Sequence, residues 1–320
     1  MNDLLSIRDL SPNQIRDLLD LACHVKADPG AYSGALRGKT LAMIFEKPSL
    51  RTRVTFEVGM EQLGGHSLYL SPEEIKLGRR ESVHDIAKNL ERMVQAIMIR
   101  TFAHEVVEEM AEHAAIPVIN GLTDFSHPCQ ALADFLTMLE VKGRVTGLKV
   151  GFVGDGNNVA HSLMFAGAQL GAHVTVATPP GYEPKPEAVQ WACRQSAYSG
   201  GICTLTNDPV EAVRDADVVY TDVWASMGRE AEAEQRKQVF VSYQVNAQSF
   251  CHAKPDAIFL HCLPAHRGEE VTSDVIDSER SFVFQQAENR LHVQKALLLM
   301  LMAAAVAEPR SSVEHEAMPL

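Results

Sequence analysis

Apolar residues along the chain follow two alternating rhythms. Short continuous runs at 40–45, 67–70, 96–100 and 117–120 have the length and bulk of buried strands. Between them, apolar residues recur three and four apart. Ile15, Leu18, Leu19, Ala22 and Val25 do so after the start signal Ser11-Pro12-Asn13-Gln14, whose proline suits the first helical position. Further helices are expected from the Lys47-Pro48-Ser49 turn to Gly64-Gly65, over 82–94 and over 104–114. A helix from His127 to about Val141 closes this half. The rhythm then restarts with strand 149–153, helix 159–170, strand 173–177, strands 218–222 and 258–263, and a last helix from about Ala287. Strands separated by helices pair in parallel through right-handed crossovers. The expected fold class is α/β, with two doubly wound parallel-sheet domains, helices on both faces and a substrate cleft between them. The pattern breaks at Lys142-Gly143-Arg144, which divides the chain into 1–140 and 141–289, with the closing helix at about 290–308 placed on the first domain. Two domains also suit a chain of 320 residues.

Composition narrows the function. Hydrophobic residues make up 46% and charged residues 22%, which excludes a disordered chain. With 29 basic and 41 acidic residues the net charge is −12, so no general attraction draws the chain to nucleic acid or an anionic membrane. Any bound anion must be held by a local cluster of bases. The most apolar stretch, 296–307, is shorter than the roughly 18–20 residues that span a bilayer, and reads as a buried helix. Six cysteines without a C-x-x-C pair read as free thiols in a reducing compartment. The opening Met1-Asn2-Asp3, followed by Arg8 and Asp9, does not read as a signal peptide. A cytoplasmic location is expected.

In parallel α/β sheets, ligands sit beyond the carboxyl ends of the strands. Those positions carry Lys47-Pro48-Ser49-Leu50-Arg51-Thr52-Arg53, Arg100-Thr101, His127-Pro128-Cys129-Gln130, Gly154-Asp155-Gly156-Asn157-Asn158, Asp222 to Gly228, and His261-Cys262-Leu263-Pro264. The segment from Ser49 opens a helix, where free N–H groups and the dipole favour an anion. Helix starts prefer acids, so the arginines there need an anion to justify them; a solvated basic turn is the plain alternative. The G-D-G-N-N run is a poor dinucleotide signature, because Val159 replaces its third glycine and the next strand ends at Thr178 rather than an acid. No nucleotide P-loop is present. His261, Cys262 and His266 lack a partner cluster for zinc, so neither metal nor cofactor is expected. Cys129 and Cys193 read as packed core or helix thiols rather than nucleophiles, and Trp191 as core.

Taken together, Ser49-Leu50-Arg51-Thr52-Arg53 with Phe56-Glu57, His127-Pro128-Cys129-Gln130, His261-Cys262-Leu263-Pro264 and Ala287-Glu288-Asn289-Arg290 resemble, in order, the motifs of the aspartate/ornithine carbamoyltransferase family. Asp222 with Ser226-Met227-Gly228 resembles the acceptor loop of its ornithine branch. The resemblance implies transfer of the carbamoyl group of carbamoyl phosphate to the δ-amine of L-ornithine, giving L-citrulline and phosphate. It implies Ser49, Leu50, Arg51 and Thr52 as the phosphate clamp, and Arg100, His127 and Thr52 as donors to the developing oxyanion. Gln130, the backbone carbonyls of Cys262 and Leu263, and Arg290 would hold the carbamoyl end. Asp222, Asn158, Ser226 and Met227 would hold ornithine. Cys262 is the implied acceptor of the amine's proton, with the departing phosphate as the alternative. Putrescine, an acylated ornithine, or a catalytically dead binding module are the rival readings. The family further implies a homotrimer or a multiple of trimers, with sites at subunit interfaces. Where the family usually carries Gln, this chain has Lys76, next to Arg79 and Arg80, a basic loop suited to a neighbour's phosphate or simply to solvent.

Overall fold

The computed structural model describes residues 1–75, 80–226, 228 and 230–303. Lys76, Arg79, Met227 and the expected helix end at 304–308 lie outside these residues. Two all-parallel sheets form. The first comprises β1 (Thr40–Phe45), β2 (His66–Leu70), β3 (Ala96–Arg100) and β4 (Val118–Leu122), in the order β2-β1-β3-β4. The second comprises β5 (Lys149–Val153), β6 (His173–Ala177), β7 (Ile202–Thr206), β8 (Val218–Thr221) and β9 (Ile258–His261), in the order β7-β6-β5-β8-β9. The central strands β3 and β8 are buried along their whole length, as parallel strands covered on both faces must be.

Helices Pro128–Lys142 and Asn158–Leu170 sit between the sheets, and every residue of the second is buried. Phe135 and Leu136 from the first share one apolar cluster with Leu163 and Phe165 from the second. The last helix among the described residues, Val283–Met302, packs on Pro12–Ala27, Leu50–Gln62 and Pro128–Lys142, all flanking the first sheet. Among the described residues, no helix is long and apolar enough to cross a membrane.

Three departures from the sequence reading have physical causes. β7 was not legible: it is an edge strand, mostly half-exposed, so the run Ile202-Cys203-Thr204-Leu205-Thr206 lacks the continuous apolar signal of a covered strand. The helix Pro186–Ser199 before it buries only Ala188, Ala192 and Ser196, too small a face to announce itself. The closing helix begins at Val283, ahead of the expected start, because its first turns bury Gln286, Asn289 and Arg290 against other polar groups and so break the apolar rhythm.

Candidate active site

A cavity of about 820 Å³ opens between the carboxyl ends of the two sheets. One wall is the start of helix Leu50–Gln62. Ser49 caps it: its Oγ accepts from the Thr52 N–H at 3.3 Å and hydrogen-bonds the Thr52 Oγ1 at 3.1 Å. The first turn holds no acid. The Leu50 side chain is exposed, which leaves its backbone for the cavity. Arg51 lines the cavity, and among the described residues its guanidinium makes no hydrogen bond or ion pair. Burial pulls its pKa down.

Two more guanidinium groups converge there. Arg100, at the end of β3, donates from Nε to the Lys47 carbonyl at 3.1 Å. Arg290, on the closing helix, donates to Gln130 Oε1 at 3.2 Å and to Thr52 Oγ1 at 2.9 Å, while its Nε stays buried without a partner. Burial, with Arg290 and Arg51 nearby, pulls Arg100 down to about 9. Among the described residues, no carboxylate pairs with any of the three. Such a cluster is costly unless a bound anion completes it. His127 is also buried in the wall. Its N–H donates to Ser162 Oγ at 2.8 Å, its Nδ1 lacks a partner, and burial beside the arginines holds its pKa well below the ordinary range, so the ring is neutral. Gln130 and Thr52 are not in the wall itself; they lie behind Arg290 and are bonded to it.

The opposite wall comes from the second sheet. Asp222 follows β8 and Cys262 follows β9, and the Cys262 thiol donates to Asp222 Oδ1 at 2.9 Å. Burial and the Asp222 charge push the thiol's pKa well up. Leu263 adopts a left-handed φ of 56° before a cis bond to Pro264, and its N–H donates to His261 Nδ1 at 2.8 Å. That fixes the His261 tautomer, with Nε2–H facing Glu270 Oε1 at 3.2 Å. Asp222, His261 and Cys262 bring donor atoms within 4.8 Å of one another, yet both His261 nitrogens are already engaged, so the three do not offer a metal three free ligands.

Asn158 lines the cavity, but its amide donates to the Thr123 carbonyl of the first domain's loop at 2.5 Å. Asn157, which the sequence reading passed over, caps the same helix and donates to Asp222 Oδ2 at 2.8 Å and to Ser226 Oγ at 3.5 Å. Gly156 has its own reason to be glycine: a Cβ there would lie 2.2 Å from the Pro184 nitrogen. Two further groups had been given no role. Lys47 is buried, ion-paired to Asp124, with its ammonium 4.3 Å from the Phe102 ring centre. Arg236 pairs with Asp155 at 3.0 Å and donates to the Trp224 carbonyl at 2.8 Å. Lys47 stands two residues beyond β1, in a segment the sequence already marks; Arg236 lies in a polar stretch with no such marker. Met227 lies outside the described residues.

Comparison with known proteins fits this division into two walls. The family model described as aspartate/ornithine carbamoyltransferase, carbamoyl-P binding domain, matches residues 2–140, and the one described as the Asp/Orn binding domain matches 146–301. An ornithine carbamoyltransferase of Thermococcus kodakarensis is 58% identical over 302 residues, covering 94% of this chain and 96% of that protein. One from Bacillus subtilis is 59% identical over 296 residues, covering 92% of each. The solved ornithine carbamoyltransferase of Pyrococcus furiosus superposes with a TM-score of 0.92 at 56% identity, covering 96% of this chain and 98% of that one. On this similarity, which spans both walls of the cavity, the chain belongs to the aspartate/ornithine carbamoyltransferase family.

Proposed function

We propose that the chain transfers the carbamoyl group of carbamoyl phosphate to the δ-amine of L-ornithine, giving L-citrulline and phosphate, a step of arginine biosynthesis. The observation that carries this reading is the pairing, across one cavity, of an unneutralised arginine cluster at a helix start with the Asp222–Cys262 pair. In this reading the phosphate lies on Ser49, the Leu50 backbone, Arg51 and Thr52. The carbonyl oxygen faces Arg100 and the neutral His127 ring, which stabilise it as negative charge develops. Arg290 and the Cys262 and Leu263 carbonyls hold the carbamoyl nitrogen end, with Gln130 behind Arg290 orienting it. The neutral δ-amine attacks the carbonyl carbon, the tetrahedral intermediate collapses by breaking the bond to the phosphate oxygen, and the departing phosphate takes the proton that the attacking nitrogen then sheds.

The amine must first lose a proton. The Cys262 thiol, raised by burial and by Asp222, rests protonated, so we assign the first acceptance to the Asp222 carboxylate rather than to a thiolate. Asn157, Asn158 and Ser226 then face the amino-acid head. The test is a citrulline assay with L-ornithine, putrescine, N-acetylornithine and L-aspartate as acceptors. Turnover with ornithine alone supports the reading, and turnover with another acceptor alone overturns it.

We also propose a cytoplasmic homotrimer in which Lys76 reaches the neighbour's phosphate. Arg51→Ala and Lys76→Ala, each inactive alone, should recover activity on refolding as an equal mixture, towards roughly a quarter of sites for random mixing around a ring. A fully active Lys76→Ala variant would remove the loop from the site.

A further inference from the structure

The cleft residues rest on a buried carboxylate that the reaction chemistry leaves unused. Asp134 lies in helix Pro128–Lys142, fully buried, one turn after Gln130. Its Oδ1 accepts two side-chain amides, Gln130 Nε2 at 2.8 Å and Gln286 Nε2 at 2.6 Å. Its Oδ2 has no hydrogen-bond partner.

Each amide uses its other end to hold a group in or beside the cavity wall. Gln130 Oε1 accepts from Arg290 Nη1 at 3.2 Å. Gln286 Oε1 accepts from the His261 N–H at 2.9 Å, directly before Cys262 and Leu263. An amide that turned over would set an NH₂ against the Arg290 guanidinium, or against the His261 N–H, donor facing donor. Asp134 Oδ1 accepts from both Nε2 groups and so opposes both reversals; burial pushes the carboxyl up to about 7, and a proton taken at Oδ2 leaves that shared acceptor in place. One side chain thus sets the sense of two amides on two elements, and through them the Arg290 guanidinium and the backbone at 261–263. Gln286 Nε2 also reaches the Tyr220 hydroxyl at 3.1 Å, so the hub touches the second sheet two residues before Asp222.

We infer that Asp134 is a positioning residue that fixes the Gln130 and Gln286 amides, and thereby aims the acceptors that read the substrate's carbamoyl NH₂. This rests on the carbamoyl-phosphate reading above. It predicts which part of the substrate suffers most when Asp134 changes: recognition of the NH₂ weakens, while the phosphate site at 49–52, linked to Asp134 only at one remove through the Arg290 bond to Thr52 Oγ1, changes little.

Two phosphonates of similar shape provide the test: phosphonoacetamide, which carries the NH₂, and acetonylphosphonate, which carries a methyl group in its place. Their dissociation constants, and that of inorganic phosphate, are measured by calorimetry on the full chain. Wild type should prefer the amide, since a site built to accept N–H bonds rejects an analogue lacking them. No preference in wild type would overturn the carbamoyl reading itself. Asp134→Leu should reduce the preference about tenfold, the order of one buried hydrogen bond, with phosphate binding within twofold of wild type. Asp134→Ala carries the same expectation if leucine is not accommodated. Asp134→Asn should keep the preference, because its Oδ1 accepts both amides while its NH₂ occupies the unpartnered Oδ2 position. A Leu variant that keeps its preference, a variant that loses phosphate binding equally, or an Asn variant as damaged as Leu would overturn the positioning role.

Discussion

Arg51 holds its charge at a cost that only a ligand offsets, so its replacement should separate stability from activity. Arg51→Met removes the guanidinium and keeps the apolar stem. The guanidinium is half-buried, lacks an ion pair among the described residues and shares the cavity with Arg100 and Arg290. Arg51 acts on both Arg100 and Arg290 as a like charge, and at an effective dielectric near 20 a like pair on the order of 10 Å apart repels by roughly 1–2 kcal/mol before salt screening. Removing one should stabilise the free protein by about 1–2 kcal/mol, a Tm rise of about 2–4 °C. Catalysis moves the other way. Loss of one charge-assisted phosphate contact costs about 1.5–3 kcal/mol, and more where the site is desolvated, so kcat/KM should fall by at least ~100-fold. Calorimetric melting with and without phosphate, beside the citrulline assay, checks both. Phosphate at about 100 times its Kd should stabilise wild type by about 2.7 kcal/mol through mass action and the variant far less. A variant that melts several degrees lower, or keeps the full phosphate-dependent shift, would refute the argument that Arg51 is an uncompensated charge awaiting an anion.

Other outcomes follow from the same geometry. Asp222→Asn should raise the KM for ornithine far more than that for carbamoyl phosphate, and should lower the Cys262 thiol's pKa, since the Asp222 charge helps hold it up; faster alkylation of Cys262 by iodoacetamide at fixed pH would show this. Burial pulls His161 down to about 4, where its Nδ1 faces the Phe125 carbonyl and its Nε2 accepts from the Lys185 N–H. The unfolded chain takes up that proton near ~6.5 and the folded chain only near 4, so stability should fall as pH drops between these values, by up to about 3 kcal/mol, and His161→Gln should flatten that limb in denaturant titrations. Ser162→Ala removes the acceptor of the His127 N–H and should lower kcat with little change in Tm, read by steady-state kinetics and melting.

The sequence by itself determined the architecture and the motifs of the site. Parallel strands need short continuous apolar runs and helices need spaced ones, so β1, β2, β3, β4, β5, β6, β8 and β9 were readable, and chemistry had to follow their carboxyl ends. Ser49, Arg51, Arg100, His127, Asp222 and Cys262 were all found there. What lay outside this signal was β7, an edge strand with one weakly covered face, and the start of the closing helix, where Gln286, Asn289 and Arg290 are polar yet buried. Only the tertiary structure decided which polar groups pair. Asn157 rather than Asn158 bonds Asp222, Lys47 meets Asp124, and Asp134 gathers Gln130 and Gln286 from helices far apart in the chain. The reason is physical: periodicity records which face of an element meets water, while a buried hydrogen bond depends on two elements arriving at about 3 Å with donor facing acceptor, and no local pattern carries that information.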